Sequence, residues 1–558
     1  MEQFEEKLVV SASDLVGFAS CPHLTWLDRK VAAGELRKPE RTDAMLELLR
    51  ARGLKHESDY LAALKAEGIE VVSLDDSNNG IGGAKTPAER KNSLIKRASD
   101  TATALAKRAK VVYQATFFDE SSHPAWRGHA DFIRPVSYDD IQNFEPEDTK
   151  LAGHVSVNAV LQLCNYVDHI ERVTGVKPRK IRVVLGRGAA AQDFEVSRLF
   201  AYYGALKERF VEALNSKEEP YPLPVAHCAV CRWSERCEKR WKDDDHLSRV
   251  AFITSSQVKR LEKAGVTTMA ALSSLAVDKQ VKKFDPEVLG RLVAQAKVQM
   301  SSEDKPVPDY ELVLPAEEGL GLASLPKPDD GDVFYDIEGH PYFGNHGLEY
   351  LHGYATVDGG FKFQGKWAHN SAQERKVFED FVDFLMNRWR ANPGMHVYHY
   401  APYETTALKR LMGQYGTREA EIDAMLRGDI FVDLYRVVRQ GLRIGVSSYS
   451  IKKLEPLYMS ARQGQIVMAS SSVIEYERWL QSGDQQILDD ILLYNKEDVE
   501  SAFLLRNWLE KRRTDVVNRQ GDLPRGPLAK PDDSMRIDAE LQKLIDHLNQ
   551  DRPAAVGK

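Results

Sequence analysis

The chain has 558 residues, of which 43% are hydrophobic and 28% charged, and its formal net charge is −7. A chain of this length exceeds what one hydrophobic core supports, so we expect two to four domains. The negative charge gives no support to wholesale coating of nucleic acid, although it is compatible with a local basic groove.

The sequence also gives no support to membrane or motor functions. No apolar run approaches the roughly 18 residues that span a bilayer, and the N-terminus MEQFEEKLVV lacks the features of a signal peptide. We therefore expect a cytoplasmic protein without membrane association, in which thiols stay reduced. No G-x-x-x-x-G-K-S/T motif occurs, so the chain carries no recognisable nucleotide-driven motor.

The first part of the chain alternates helices and strands. Apolar spacing predicts a helix from residue 11, over SASDLVGFASCPHLTWLDRK, and another over residues 42–67. Strands follow at VVYQATFFD, WRGHADFIRPV and NFEPEDTKLA, and then a helix over 155–173. The strand KIRVVLG, a further helix and a Pro-rich turn lead to HCAVCRWSERC. This pattern predicts an αβ domain over residues 1–245.

The second part begins after the charged stretch KRWKDDDHLSR. Residues 246–305 are predicted to form a helical linker, which ends at a stretch rich in Pro, Gly and acidic residues. Strands and helices alternate again over 332–515, which predicts an αβ domain ending in a long helix. Residues 516–558 are predicted to be a polar tail with a short helix.

Polar residues interrupt two predicted strands of the first domain. Asp131 lies in GHADFI, and Asp148 and Lys150 close FEPEDTK. Because strand side chains alternate with a period of two, these residues can present two carboxylates and an ammonium on one side of neighbouring strands. The carboxylates could hold a divalent cation, and the lysine could orient or deprotonate the attacking water. His56, on the preceding helix, could add a nitrogen ligand to the same ion.

Each of these residues alone has a structural explanation, as a turn, a cap or a solvated strand edge. Their order along the chain is more informative. The chain has a helix with His, then G-x-x-D, then D-x-K, and then a helix with Gln162 and Tyr166. This order resembles the RecB-type nuclease core of the PD-(D/E)xK superfamily over about residues 11–240. The resemblance implies that the histidine, the two acids and the lysine form a metal-dependent cleavage site, which Gln162 and Tyr166 line.

One residue departs from that pattern. Pro146 lies inside the strand that carries D-x-K, and proline removes a ladder donor. We therefore expect this strand to lie at an edge or to be bulged, with Glu145 and Glu147 as competing ligands.

Three of the five cysteines stand together as C-x2-C-x5-C. In a reducing compartment such cysteines more often bind metal than pair, but three thiolates are an incomplete ligand set. A subset of RecB-type nucleases is similar, with one cysteine near the N-terminus and three at the end of the nuclease domain binding a 4Fe–4S cluster. Zinc also accepts four thiolates, and the spacing alone does not exclude it. The fifth cysteine, Cys164, is expected in the core. The resemblance implies a structural cluster on Cys21, Cys228, Cys231 and Cys237.

The second domain carries acids on separate segments. Asp336 and Glu338 alternate along the strand of FYDIEGHP and so face one way, and Glu404 follows the strand MHVYHY. Tyr494 and Asp498 are four positions apart, hence on one helix face. Four acids converging on an RNase H-like sheet are what a two-metal phosphodiester cleavage site needs. Tyr494 could position the attacking water.

This arrangement resembles the DnaQ-like 3′–5′ exonucleases of the DEDDy pattern over about residues 332–512. Glu404 stands where the pattern has aspartate, and its extra methylene could alter or weaken the metal site. A degenerate RNase H fold kept for binding is the alternative. Asp433, in FVDLYRVV, is a lesser candidate that we expect to end a strand.

Taken together, the chain resembles the nuclease half of a bacterial family in which a RecB-like nuclease domain and a DnaQ-like domain share one chain. Between them, KRLEKAGVTTMAAL resembles a helix-hairpin-helix element that could hold a DNA phosphate, with a purely structural linker as the alternative. The resemblance implies a Mg²⁺- or Mn²⁺-dependent deoxyribonuclease for single-stranded or free-ended DNA, with RNA as another substrate, in repair, recombination or defence.

Many members of that family continue into a helicase. Three interpretations follow: a shorter member of the family, a part of a longer chain that includes the helicase, or a subunit whose helicase is a separate partner. A different interpretation is a nucleic-acid-binding scaffold, or a nuclease subunit with one active site that works with a separate helicase.

Overall fold

The computed structural model describes residues 1–40, 43–74, 86–107, 110–138, 141–186, 188–276, 281–464, 466, 469–526, 542–544 and 546–547. The chain divides into two compact units, Met1–Asp243 and Asp244–Lys558. Within the described part, no helix is long and apolar enough to cross a bilayer. Most of the tail predicted over 516–558 lies outside the described residues.

The first unit is built around a mixed sheet of eight strands. Its strands are β1 (Glu2–Phe4), β2 (Lys7–Ser11), β3 (Val71–Ser73), β4 (Val111–Asp119), β5 (Ala125–Tyr138), β6 (Ile141–Lys150), β7 (Lys180–Leu185) and β8 (Gln192–Glu195). Its helices are α1 (Ala12–Ser20), α2 (Pro22–Ala32), α3 (Ala44–Ala66), α4 (Pro87–Ala106), α5 (Val157–Thr174), α6 (Val196–Asn215) and α7 (Ser234–Asp243). The main path of the sheet is β1-β2-β5-β6-β7-β8, and β4 joins β3 to β5.

Helix α5 is fixed against the sheet by an apolar face. Leu163, Val167 and Ile170 repeat at helical spacing and are completely buried in the core of this unit. The helix begins at Ser156, whose side chain accepts a hydrogen bond from a backbone amide of the first turn, and ends at Gly175 in the left-handed region. This packing positions Gln162 and Tyr166, which α5 carries.

The single helix predicted from residue 11 is wrong, because the chain turns at Cys21. Pro22 takes the first position of α2, where its missing amide costs nothing. A proline also disfavours helical geometry in the residue before it, and Cys21 is extended, with φ −160° and ψ 108°. Cys21 therefore lies between two helices rather than within the first.

The expectation for β6 is corrected in part. Its antiparallel pairing with β5 runs over residues 141–147 without a register shift, so the expected bulge is absent. Its parallel pairing with β7 begins only at Glu147. Pro146 therefore lies where β6 has one paired neighbour, and its missing amide removes no bond from the β7 ladder. The D-x-K residues, by contrast, pair with β7 alone, which opens their other side.

The second unit has an αβ domain that follows three short helices and a small strand. The helices are α8 (Ser255–Lys263), α9 (Met269–Ser273), α10 (Pro286–Ser302), α11 (Ser371–Ala391), α12 (Tyr403–Tyr415), α13 (Glu419–Arg427), α14 (Leu434–Gly441), α15 (Ile451–Leu454), α16 (Ala469–Ser482) and α17 (Gln485–Gln520). The strands are β9 (Tyr310–Leu312), β10 (Val333–His340), β11 (Leu348–Thr356), β12 (Lys362–Trp367), β13 (Val397–His399), β14 (Phe431–Asp433) and β15 (Leu442–Ile444).

A five-stranded sheet forms the centre of this unit, in the order β12-β11-β10-β13-β14. The first three of these strands are antiparallel, and β13 and β14 run parallel to β10. All nine residues of β11 are buried, because helices cover both faces of the sheet. Val382 and Leu385 of α11 pack in one core, and Leu505 and Leu509 of α17 pack in another. The sheet thus brings β10 next to the long helix α17.

Candidate active sites

Three carboxylates of the second unit meet at one point. Asp336 and Glu338 project from the same face of β10, and Asp498 reaches them from α17. One oxygen of each carboxylate lies within 4.8 Å of the others. Among the described residues, no other group of three His, Cys, Asp or Glu side chains is as compact. Oxygen ligands at this spacing suit Mg²⁺ or Mn²⁺.

A bulge in β10 helps to aim Glu338. The register with β11 shifts between Glu338 and Gly339, and such a shift bends a strand and turns its side chains. Gly339 is required here, because a Cβ at this position would lie 1.9 Å from a carboxylate oxygen of Glu349 and 2.6 Å from the hydroxyl of Tyr403. A side chain here would displace the Glu349 carboxylate and the Tyr403 hydroxyl from their present positions.

The cluster is electrostatically unfavourable without a cation. Burial, and then the charges of Asp498 and Glu338, raise the pKa of Asp336 well above its usual value. The pKa of Glu338 rises to about 8, from burial and then from Asp498. Burial also raises the pKa of Asp498. A divalent cation would offset this repulsion, so the residues fit such an ion.

Two neutral side chains that the sequence analysis missed hold these carboxylates. Asn495 Nδ2 donates to Asp336 Oδ2 over 2.7 Å, and Ser472 Oγ donates to Glu338 Oε2 over 2.6 Å. Asn495 directly follows Tyr494, so the helix motif gave a signal for it. Ser472 lies on α16, for which the sequence gave no motif.

Two cations also reach the cluster, and both were missed from the sequence. Arg462 Nη2 lies 2.5 Å from Asp498 Oδ1, and its Nε donates to Glu455 Oε2 over 3.0 Å. Lys452 Nζ donates to the hydroxyl of Tyr494 over 2.7 Å. Burial lowers the pKa of Lys452. Lys452 lies in the short helix α15, and Arg462 lies in the loop before α16. Neither segment carries a recognisable motif.

Tyr494, the residue predicted to position water, is 2% exposed. Its pKa is raised by burial, and then by the charges of Asp498 and Glu338. The hydroxyl therefore keeps its proton and can donate a hydrogen bond while it accepts one from Lys452.

Glu404 lies beside the compact group but is not part of it. It is 3% exposed, and its Oε2 lies 3.4 Å from Nδ1 of His399. Its charge is one of the causes that raise the pKa of Asp336, so it is an electrostatic neighbour of the cluster. Asp433 is the last residue of β14 and caps α14 by accepting from the Tyr435 amide.

In the first unit, five of the six predicted residues form a continuous chain of contacts. Lys150 Nζ lies 2.5 Å from Asp148 Oδ2 and donates to Gln162 Oε1 over 3.2 Å. Gln162 Nε2 donates in turn to the hydroxyl of Tyr166 over 2.8 Å. The carboxyl group of Asp131 accepts from the backbone amide and the hydroxyl of Thr149, each over 3.3 Å, and it is close enough to Asp148 for their charges to interact.

The two carboxyl groups of this site oppose each other. Burial, and then the charge of Asp148, raise the pKa of Asp131 to about 8. Asp148 is completely buried. Lys150 forms an ion pair with Asp148, and among the described residues no hydrogen-bond donor reaches its oxygens. Such a pair fits a divalent cation, with two protein ligands rather than three.

His56 does not complete this ligand set. Its half-buried ring places Nε2 3.5 Å from the carbonyl oxygen of Val184 on β7. It forms no compact three-ligand group with Asp131 and Asp148. The role of His56 as a third ligand therefore stays a prediction.

The two competing glutamates lie on the opposite face of β6, since they occupy alternate positions. Glu147 accepts from the hydroxyl of Tyr60 over 2.6 Å and pairs with Arg134 at 3.1 Å. Glu145 accepts from the hydroxyl of Tyr138 over 2.5 Å. Both glutamates thus form their contacts on the face of β6 opposite to Asp148.

The four cysteines assigned to a metal line one cavity: Cys21, Cys228, Cys231 and Cys237. Burial is the main cause that raises the pKa of Cys21, Cys231 and Cys237, to about 12 for the last. The charges of the other cysteines raise these pKa values further. This charge interaction occurs between every pair of the four cysteines. Cys164 lies apart from them in the core, as expected.

The cysteine sulphurs are not packed as a single ion would hold them. No three of them lie within 4.8 Å of one another, whereas a tetrahedral zinc ion holds its thiolates about 3.8 Å apart, given a Zn–S bond of roughly 2.3 Å. The backbone amide of Val225 donates to Cys228 Sγ over 3.4 Å. Hydrogen bonds to sulphur of this kind tune iron–sulphur sites.

The sheet order and the carboxylate cluster on its central strand define an RNase H-like domain. Residues 333–510 match the model of the RNase_H superfamily, which confirms the RNase H-like fold predicted for the C-terminal domain. A comparison with curated proteins finds no match. The chain is similar to the solved structure titled "Crystal structure of SSO0001", with 12% identity, a TM-score of 0.19, and coverage of 42% of this chain and 89% of that chain.

Proposed function

We propose that the chain is a metal-dependent deoxyribonuclease whose principal active site is formed by Asp336, Glu338 and Asp498. The observation that carries this proposal is the meeting of three carboxylates within 4.8 Å on an RNase H-like domain. Carboxylate-held divalent ions are the usual means of hydrolysing phosphodiester bonds. The neighbouring cations and the protonated tyrosine belong to the same site.

The three carboxylates would hold Mg²⁺ or Mn²⁺, which when bound supplies a Lewis acid and lowers the pKa of a water molecule. Tyr494 keeps its proton and is oriented by Lys452, so it can donate to the attacking water and hold it in line. Lys452 and Arg462 place two positive charges where negative charge develops on the phosphoryl group. Arg462 has to share Asp498 with the ion.

We propose single-stranded or free-ended DNA as the substrate, cleaved exonucleolytically from the 3′ end, in repair, recombination or defence. The DEDDy resemblance supports this choice, with Glu404 near the third position of the pattern. RNA is the alternative substrate. Competition between a labelled DNA oligomer and an unlabelled RNA oligomer of the same sequence distinguishes the two.

We also propose that Asp131, Asp148 and Lys150 form a second, RecB-type nuclease site. The contacts among these residues and α5 support it. The pair of carboxylates supplies two ligands, and phosphate or water oxygens would complete the coordination. The ammonium of Lys150 lies where it can orient a water molecule against a phosphate.

We propose that the four cysteines hold a 4Fe–4S cluster with a structural role. Their place around one cavity supports this, and so does a spacing wider than one zinc ion requires, because four irons spread their thiolate ligands further. The cluster would join Cys21 to a segment more than 200 residues later. Anaerobically purified protein should be brown and contain iron, and stoichiometric zinc without iron would contradict the assignment.

The test of the principal site is cleavage of 5′-labelled and 3′-labelled single-stranded DNA with Mn²⁺ and with EDTA. We expect cleavage in Mn²⁺ only, and loss of the exonuclease ladder in Asp336→Asn. Asp489→Asn is the matched control, because it removes an exposed carboxylate from the same helix as Asp498. An unchanged ladder in Asp336→Asn would contradict the proposal.

A second candidate function is a nucleic-acid-binding scaffold, or a nuclease subunit with one working site beside a separate helicase. The ion pair between Arg462 and Asp498 favours this second function, because an arginine that pairs with a ligand carboxylate can take the place of a metal cation. Tight binding of DNA without cleavage in Mn²⁺ would favour the scaffold. Cleavage that depends on only one of the two sites would favour the subunit.

A further inference from the structure

A large cleft in the second unit has no part in the chemistry described so far. It has a volume of about 1180 Å³ and is bordered by α8, α10, α14 and β15. Its walls carry four arginines: Arg291, Arg436, Arg439 and Arg443.

Three of these arginines are free of acidic partners. Arg291 pairs with Glu287 of the same helix at 3.2 Å, but within the described part of the chain Arg436, Arg439 and Arg443 have no carboxylate within ion-pair distance. Arg436 and Arg439 are exposed. The cleft therefore keeps unpaired positive charge in a protein whose net charge is −7.

The acidic residues in the cleft do not cancel this charge. Asp433 Oδ1 accepts from the backbone amides of Tyr435 and Ala401, each over 2.9 Å. Glu287 is occupied by Arg291, and Glu317 is exposed to solvent. An anion entering the cleft thus meets the arginines as its strongest partners.

An aromatic side chain stands beside the arginines. Phe252 is 40% exposed, and the guanidinium of Arg439 lies 4.3 Å from its ring centre. Its backbone has φ +66°, a conformation that a bulky residue rarely adopts. The edge of its ring packs on Tyr449, with 4.8 Å between the ring centres. An exposed ring next to arginine is the combination that stacks a nucleobase while a phosphate is neutralised.

One end of the cleft lies near Glu404. Pro402, the residue before α12, and Asp433 both line it. The charge of Asp433 is among the causes that raise the pKa of Glu404, and that of Glu404 is among those that raise the pKa of Asp336. The lining of the cleft thus comes within two residues of Glu404, the electrostatic neighbour of the acid cluster.

We infer that this cleft binds a single-stranded nucleic acid, with its phosphates on Arg436, Arg439 and Arg443 and one base on Phe252. The inference rests on the proposed function, because it supplies the path by which the strand reaches the acid cluster. The size of the cleft and the spread of its charges match several linked phosphates better than one phosphorylated small molecule.

The experiment measures binding of a fluorescein-labelled oligothymidylate by anisotropy, in EDTA, over a series of NaCl concentrations. The double substitution Arg436→Gln/Arg439→Gln should weaken binding at least tenfold. It should also reduce the slope of log K against log salt by about 1.4, because each phosphate contact on a single strand contributes about 0.7. Arg436→Lys/Arg439→Lys should restore the slope, because it restores the charge.

The matched control is Arg375→Gln/Arg427→Gln, which removes two exposed arginines of the same unit from pairs with Glu379 and Asp423. It should bind like the wild type. Phe252→Ala should weaken binding roughly tenfold, the size of one lost base stack, with an unchanged salt slope.

The outcomes separate this inference from the proposed function, since EDTA prevents metal-dependent cleavage. A wild-type protein that does not bind the oligomer, or an Arg436→Gln/Arg439→Gln variant with the wild-type slope, overturns the inference even if DNA is cleaved in Mn²⁺. Salt-dependent binding through the arginines without any cleavage in Mn²⁺ supports the inference and contradicts the nuclease proposal. Inhibition of oligomer binding by equimolar inorganic pyrophosphate would also overturn it, in favour of a small anion.

Discussion

The two candidate sites combine the same kinds of residue in different proportions. In the second unit, three carboxylates lie within 4.8 Å of one another, Arg462 pairs with one of them, and Lys452 donates to the neighbouring Tyr494. In the first unit, the charges of two carboxyl groups oppose each other, and one lysine lies 2.5 Å from Asp148. The second site thus supplies three metal ligands itself, whereas the first site supplies two and depends on water or phosphate oxygens for the rest.

Burial affects both sites alike, but they offset it differently. The pKa values of Asp131 and Glu338 both rise to about 8, with burial as the main cause. In the second unit Ser472 stabilises the charged form of Glu338 by donating a hydrogen bond. In the first unit Thr149 donates to Asp131 over the longer distance of 3.3 Å, and Lys150 is engaged by Asp148. Because these longer hydrogen bonds are weaker, the first site should respond more strongly to pH and to metal.

The largest effect is expected from removing each site in turn. Asp336→Asn should lower Mn²⁺-dependent DNA cleavage on the order of 10²–10³-fold, the range for losing one group that stabilises the transition state. Lys150→Ala should remove a different set of products, and the double variant should remove both sets. Gel analysis of end-labelled products measures this, with Lys110→Ala as an exposed control in the first unit. Identical products from both single variants would contradict two separate sites.

The next effect concerns the cysteines, which all lie in the first unit. Cys237→Ser should lose iron and lower the melting temperature of the first unit by about 10 °C, because a cross-link that closes a long loop is worth roughly 4 kcal/mol. Calorimetry and iron analysis measure the two quantities. Cys164→Ala is the control, since it creates a small cavity in the core but should keep the iron. Full iron in Cys237→Ser would show that this residue is not a ligand.

A smaller effect is expected from pH. The folded-state pKa of Asp131 is about 8, above its ordinary value of 3.8. The stabilisation from its proton is therefore complete below pH 4 and is lost as the pH rises through 8. The chelated wild type should melt at a lower temperature at pH 9 than at pH 5, and Asp131→Asn should reduce this difference. Mn²⁺ should restore stability at pH 9 in the wild type, and an equal pH dependence in the variant would contradict the assignment.

The smallest effect is expected from Ser472→Ala, which removes one hydrogen bond from Glu338. A loss of about 0.5–1.5 kcal/mol corresponds to a decrease in exonuclease rate of roughly 2- to 13-fold. The products of the first site should not change. Ser471→Ala, the neighbouring position on α16, is the control. A decrease of equal size in both variants would mean that the helix, rather than the hydrogen bond, is responsible.

The carboxylate cluster could be predicted because its signals are local. Asp336 and Glu338 alternate on one strand, and Tyr494 and Asp498 lie four apart on one helix. Lys452 and Arg462 could not be predicted, because a four-residue helix and a loop without a motif carry them, and only tertiary packing brings them to Tyr494 and Asp498. The same holds for His56, whose position on a helix does not show how close it comes to Asp148.

The fold was predictable to a similar extent. The spacing of apolar and polar residues predicted β10 and the long helix α17, and the RNase H-like domain was predicted from the acids that they carry. Helix α4 was missed although Thr86 and Glu89 form a capping box at its start, because its sequence is mostly polar. The break at Cys21 was also missed, although Pro22 signals it.

Anomalous diffraction from crystals grown with MnCl₂ is the most direct test of the proposal that these three carboxylates hold the catalytic metal ion. A manganese peak should lie within coordination distance of Asp336, Glu338 and Asp498, and it should vanish in Asp336→Asn. Manganese bound elsewhere in the protein, with no peak at these three carboxylates while the same crystals' protein cleaves DNA in Mn²⁺, would contradict it.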